Sequence, residues 1–178
     1  MTILSDGTIR HLVGKGTVVI DPMPRLEQFQ PVSIDMLLHP FGKIVRVQPD
    51  NEFERYYEQV KFPYALRPGE CLIASTVERI ELPDNIVARV EGKSTLGRLF
   101  LSVHETAGLV DPNFKGQITL EIKNNGPAAV MLKPKMKICQ LVFEWVDQAV
   151  VRPYGSPGLG SHYQNQLGPT EPRTEGLA

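Results

Sequence analysis

Apolar and polar positions alternate along residues 117–123. Ile118, Leu120 and Ile122 fall on one side of an extended chain, and Gln117, Thr119, Glu121 and Lys123 on the other. This period predicts a half-buried β-strand. Further apolar runs recur at 18–20, 44–47, 71–75, 86–90, 129–132 and 137–145. Turn-forming groups separate the later runs: Arg67-Pro68-Gly69, Leu82-Pro83-Asp84-Asn85, Asp111-Pro112-Asn113, Asn124-Asn125-Gly126-Pro127 and Lys133-Pro134-Lys135. Many short strands cut by Pro and Gly turns read as an all-β sandwich or barrel. One short helix is expected over 5–12, with Ser5 or Asp6 as its N-cap. There is no internal repeat.

The pattern lapses after residue 153. Residues 154–178 are rich in Gly, Ser, Gln, Pro and Thr, which divides the chain into a β-domain, 1–153, and a C-terminal segment, 154–178. That composition alone describes a plain tail. The cluster Tyr154, His162, Tyr163, Gln164, Asn165 and Gln166 also suits a lid that stacks on and hydrogen-bonds a base or sugar. Both readings remain open at this point.

Composition narrows the class. The 178 residues carry 19 Lys+Arg against 20 Asp+Glu, a net charge of -1, which argues against a sequence-blind nucleic-acid binder. A chain of this length buries roughly 70% of its unfolded surface and needs no disulfide or metal to fold. Cys71 and Cys139 lie in apolar runs and are expected to be buried, reduced thiols. Without a CxxC or paired-His spacing, no zinc site is expected. No signal-peptide pattern opens the sequence, and no apolar run approaches the ~18 residues of a membrane span. A cytoplasmic protein with no membrane partner is the expectation.

Candidate chemistry concentrates in 90–124. Gly92-Lys93-Ser94-Thr95-Leu96-Gly97-Arg98 brings two glycines, two hydroxyls and two cations together. Such a loop can cradle a phosphate, or it can be a capped turn opening a short helix. The Walker order GxxxxGK[ST] is absent. Asp111 sits in a turn, where it can bond its own backbone or face a site. Thr119 and Glu121 share the polar side of their strand, which is either solvated or the wall of a pocket where Glu121 acts as general acid/base. His104 alternates with Ser102 and Thr106 and could face the same pocket, though a structural role is the commoner one. His11 and His39 are assigned nothing, and no GxSxG or Cys–His arrangement occurs.

Taken in order, these pieces resemble the dCTP deaminase family of the dUTPase-like superfamily. The resemblance runs through Gln30-Pro31-Val32-Ser33-Ile34-Asp35, Val90-Glu91-Gly92-Lys93-Ser94-Thr95-Leu96-Gly97-Arg98-Leu99, His104-Glu105-Thr106-Ala107-Gly108 and Val110-Asp111-Pro112. It continues through Phe114-Lys115-Gly116, Ile118-Thr119-Leu120-Glu121, Gln140-Leu141, Pro153-Tyr154-Gly155 and residues 160–166. Each motif is weak by itself, but their shared order is specific.

The resemblance implies a distorted β-barrel or jelly roll, assembled as a homotrimer with shared active sites and a C-terminal lid. It implies hydrolytic deamination of dCTP without zinc, with magnesium carried on the triphosphate, and it admits dTTP as an inhibitor. Glu121 would be the proton-transferring carboxylate. Ser94 and the Ala107 backbone would position water, and Arg98 would stabilise charge. Asp111 would hold the sugar and activate water for phosphate cleavage. Lys93, Thr95 and Gln140 would bind triphosphate or base, with Leu96, Gly97, Thr119 and Leu120 also contacting substrate. Tyr154, His162 and Gln166 would come from the lid.

One branch of the family stops at dUTP. Another also cleaves the α–β phosphate linkage, giving dUMP for thymidylate synthesis, and resembles T-A-G-[FLW]-[IV]-D. Here Thr106-Ala107-Gly108-Leu109-Val110-Asp111 matches the second branch. Gly108 is expected to leave room for the backbone and a water near the phosphates, so Gly108 and Leu109 point to the dUMP-forming, bifunctional type. Thr95, Phe100, Lys135 and His162 depart from the family pattern, His162 replacing a phosphate-binding Lys. Deaminase-only, dUTPase-only and non-catalytic nucleotide-binding proteins are the alternatives. The last of these should have lost Glu121, Asp111 or Arg98.

Overall fold

The alternation at 117–123 is realised in a computed structural model that describes residues 2–174. In chain order the elements are β1 (Thr2–Ile3), α1 (Asp6–Gly14), β2 (Val19–Asp21), β3 (Phe29–Gln30), β4 (Ser33–Leu37), β5 (Phe41–Gln48), β6 (Asn51–Lys61), β7 (Tyr64–Leu66) and β8 (Cys71–Glu81). There follow β9 (Ile86–Gly92), α2 (Ser94–Arg98), β10 (Leu101–Ser102), β11 (Leu109–Val110), β12 (Lys115–Asn124), β13 (Val130–Leu132) and β14 (Lys137–Trp145). One sheet runs β11-β9-β14-β4-β3, with β1 also on β14. A second runs β10-β12-β8-β5-β6, with β2 also on β8, and β13 and β7 form a small ribbon. Pairing within these sheets is antiparallel throughout. The mainly-β expectation therefore holds.

The inward residues of both sheets form one cluster. Leu120 and Ile122 from β12 are fully buried with Leu72 and Ala74 from β8, Ile34 and Met36 from β4, and Leu141 and Phe143 from β14. Burial of such side chains contributes about 1.5–3 kcal/mol each. Helix α1 starts where expected: the Ser5 hydroxyl accepts from the Thr8 N–H at 3.5 Å, and Ile9, Leu12 and Val13 are buried. Cys139 is buried as expected, whereas Cys71 is only half-buried at the start of β8.

Strand β6 is absent from the sequence expectation. It is exposed along nearly its whole length and lies at a sheet edge, so neither of its faces carries an apolar stripe. Its pairing with β5 runs from Phe41 opposite Lys61 to Gln48 opposite Asn51.

The segment after residue 153 folds back onto the domain as far as the described residues extend; 175–178 of the expected segment 154–178 lie outside them. Tyr154 donates its N–H to the Pro112 carbonyl at 3.0 Å, and its ring tilts against Phe114 at 5.8 Å. The Gln164 amide bridges Lys115 N–H and the Asn113 carbonyl, both at 2.9 Å. Gln166 makes a parallel bridge to Gly116. Farther on, Glu171 pairs with Lys43 of β5 at 2.6 Å. No helix among the described residues is long and apolar enough to cross a membrane.

Candidate active site

Glu121 owes its position to the β12–β8 pairing. The ladder shifts register between Gln117 and Thr119. The Ile118 N–H freed there donates to the buried Thr76 hydroxyl at 3.0 Å, so the irregularity leaves no unpaired amide. Ile118 stays in the core, and Thr119 and Glu121 turn to the opposite face. That face forms one wall of a cleft of about 440 Å³. Ile73, Val90, Leu109 and Phe114 supply apolar surface, and Asp111 faces in from the turn before β12.

The Asp111 turn closes through its backbone: the Phe114 N–H reaches the Asp111 carbonyl at 3.1 Å. The Asp111 side chain takes no part in this and has no hydrogen-bond or ion-pair partner among the described residues. The tail covers the cleft from outside, contributing Tyr154, Tyr163, Gln166 and Thr170. Gln166 donates to the Gln117 carbonyl at 2.8 Å, while its Oε1 is buried without a partner. A buried acceptor left unpaired costs about 1–3 kcal/mol, which a donor on a bound ligand would recover.

Burial against the cleft wall pushes the Glu121 carboxyl above its ordinary value. The backbone N–H groups of Glu105 and Glu121 and the nearby His104 pull it back down. Water still reaches Glu121 in the single chain, where the residue is exposed. Filling the cleft would strengthen the upward push.

The remaining candidates gather elsewhere. Lys93 caps α2, on which Ser94, Thr95 and Arg98 are exposed. The Lys93 ammonium bonds the buried Asp35 carboxylate. Both ends of the Gln140 amide are engaged, accepting from Ser33 at 2.8 Å and donating to the Gly92 carbonyl at 3.0 Å. Leu96 and Arg98 line a second, mostly apolar groove of about 430 Å³ with Leu99, Phe100 and Met131. The groove and the cleft share no lining residue. Gly97 is exposed on α2 and borders neither.

Three of the expected residues sit in particular surroundings. The Leu120 side chain is fully buried in the core, so only its backbone can meet a ligand. His162 is exposed and lies against the Tyr163 ring at 6.2 Å, outside the residues lining the cleft. The space beside Gly108 is already filled: an added Cβ would come 3.1 Å from both the His104 ring and the Val90 carbonyl. Glycine at 108 permits this close approach of the Val90 backbone and the His104 ring. Leu109 does border the cleft. Tyr57 and Ile73 also line it without having drawn attention in the sequence. Tyr57 belongs to the unforeseen β6, and Ile73 reads as an ordinary strand residue.

The dCTP deaminase-like family model matches residues 3–146. A Methanobrevibacter smithii protein named "dCTP deaminase, dUMP-forming" is 41% identical, over 98% of this chain and 96% of that protein. A Natronomonas pharaonis protein named "dCTP deaminase" is also 41% identical, over 98% of this chain and 95% of its own length. Among solved structures, the 2'-deoxycytidine 5'-triphosphate deaminase of Agrobacterium tumefaciens superposes with a TM-score of 0.67 at 22% identity, over 79% of this chain and 46% of that one. A mutant dUTPase from phage phi11 of S. aureus gives 0.52 at 14% identity, over 76% and 95%. At these identities the two structures share the fold.

Proposed function

The chain belongs to the dCTP deaminase-like family, and from that premise we propose that it converts dCTP and two waters to dUMP, ammonia and diphosphate. The observation that carries the proposal is that Glu121 and Asp111 line one cleft under the same tail. The apolar lining suits a flat base, and Tyr154, Tyr163 and Gln166 suit its sugar and close over it. Residues 154–174 then act as a lid.

In the first step Glu121 takes a proton from a water that adds to C4 of cytosine. It returns protons to the ring nitrogen and the amino group, which leaves as ammonia, giving dUTP. A carboxyl raised by burial gives and takes a proton closer to neutral pH than an ordinary one does. In the second step Asp111 orients a water toward the α-phosphorus, and diphosphate leaves. Magnesium would neutralise charge on the triphosphate. Among the described residues no three His, Cys, Asp or Glu side chains gather to cage a metal, which fits an ion held by phosphate and water.

Within one chain neither Ser94 nor Arg98 lines the cleft that holds Glu121. The exposed apolar groove beside them, with Phe100 62% and Met131 50% exposed, is a surface for a second copy to cover. A homotrimer that brings α2 of one copy to the cleft of the next unites the set. Lys93, Thr95 and Arg98 would then meet the phosphates and the reacting centre, with dTTP competing for the same cleft. The site needs no nucleic-acid or membrane partner, and the reaction suits a cytoplasmic enzyme.

One observation favours a second reading, deamination to dUTP alone: a relative of the same 41% identity is named only "dCTP deaminase". Incubation with dCTP and magnesium, followed by separation of nucleotides, tests both. Ammonia with dUMP and diphosphate supports the proposal, accumulating dUTP supports the second reading, and no ammonia overturns both.

A further inference from the structure

Asp35 is 1% exposed in the middle of β4 and receives two ammonium groups. Lys93 bonds Oδ1, and Lys137 lies 3.0 Å from Oδ2. The Gln30 amide donates to Oδ2 at 3.2 Å. Lys137 is anchored in turn, donating to the Glu27 carbonyl at 2.6 Å. One carboxylate needs one cation. A second cation on a buried carboxylate leaves one of the two free to move without stranding the charge.

The two lysines are placed differently. Lys93 caps α2, beside Ser94, whereas Lys137 begins β14, the strand paired directly with β4. We infer that Lys137 is a positioning residue: it keeps Asp35 neutralised so that Lys93 can leave that carboxylate for a nucleotide phosphate. The inference rests on the proposed phosphate role of Lys93. Without Lys137, Asp35 holds Lys93 as its only cation and the phosphate must compete for it. Since Lys137 is 40% exposed, the loss is modest, roughly fivefold in affinity.

Calorimetric binding of the imido analogue of dUTP, inert to both steps, tests this. Lys137→Met should raise Kd about fivefold, and in turnover of dCTP should raise KM while leaving kcat unchanged. Adding Asp35→Asn to that variant removes the competing carboxylate and should restore binding to within about twofold of the original. Lys137→Arg should bind as the unaltered protein does, and it serves where the double variant fails to fold. Unchanged binding by Lys137→Met, or a folded double variant that stays weak, would overturn the role of Lys137. If Lys93→Met binds like the unaltered protein, the phosphate role of Lys93 itself fails.

Discussion

Gly116 and Gln166 form a parallel bridge that pins the tail to the strand carrying Glu121. Gly116 has φ +149°, and an added Cβ would sit 2.9 Å from the Gln166 carbonyl oxygen. Gly116→Ala should therefore lift the tail from β12. With strain of about 1–3 kcal/mol to relieve, KM for dCTP should rise roughly tenfold or more. Protease cleavage after Arg173 or within 154–170 should quicken. Unchanged KM and cleavage would separate the tail from the site.

The Glu121 carboxyl lies above its ordinary value of 4.5 because burial opposes its charge. It keeps its proton to higher pH than an ordinary carboxyl and is an effective base only above that raised value. Ammonia release should fall on the acid side through a pKa above 4.5. Glu121→Gln should cut release by about 10²–10⁴-fold and leave nucleotide affinity within a few-fold. An acid limb at or below the ordinary value would argue against this base.

Arg98 and Glu121 border different hollows of one chain. If the working site joins two copies, inactive Arg98→Ala and Glu121→Gln chains should complement each other. Random mixing in a cyclic trimer would leave about a quarter of the sites with both native residues. Activity of the refolded mixture reads this directly. A mixture as dead as its parents would place the reaction within one chain.

Glu78 is buried and pairs with no cation among the described residues, accepting instead from the Gln28 amide and the Leu37 N–H, both at 2.9 Å. Burial outweighs these bonds and raises its pKa. The folded state thus binds the proton more tightly than the unfolded one. Stability from this group is present at low pH and declines as pH rises from the unfolded value through the raised one. Urea unfolding should show that decline, and Glu78→Gln should flatten it. Glu78→Ala, which strands two donors, should cost about 1–3 kcal/mol.

The strand β12 was legible because one face is apolar and the other polar, and the same alternation put Thr119 and Glu121 on a common surface. The Asp111 turn was legible from its Pro and Asn. The edge strand β6, polar on both faces, carried no such signal, and Tyr57 was hidden with it. Nor could spacing show that Lys93 would pair with Asp35, since that contact forms only when β4, β14 and β9 assemble side by side. Gly108 matched the motif, but a glycine signals only the absence of a side chain, so its close packing against the His104 ring and the Val90 carbonyl could not be read from it. The tail composition favoured a plain tail over a lid; its docking depends on bonds from Tyr154, Gln164 and Gln166 to residues far away in the chain.

The central claim is that both carboxylates serve one cleft without release between steps. Labelled dCTP turned over in the presence of excess unlabelled dUTP tests it. Label should pass to dUMP with none entering the dUTP pool, and Asp111→Asn should divert it to dUTP. Label appearing in the dUTP pool with the unaltered protein would contradict it.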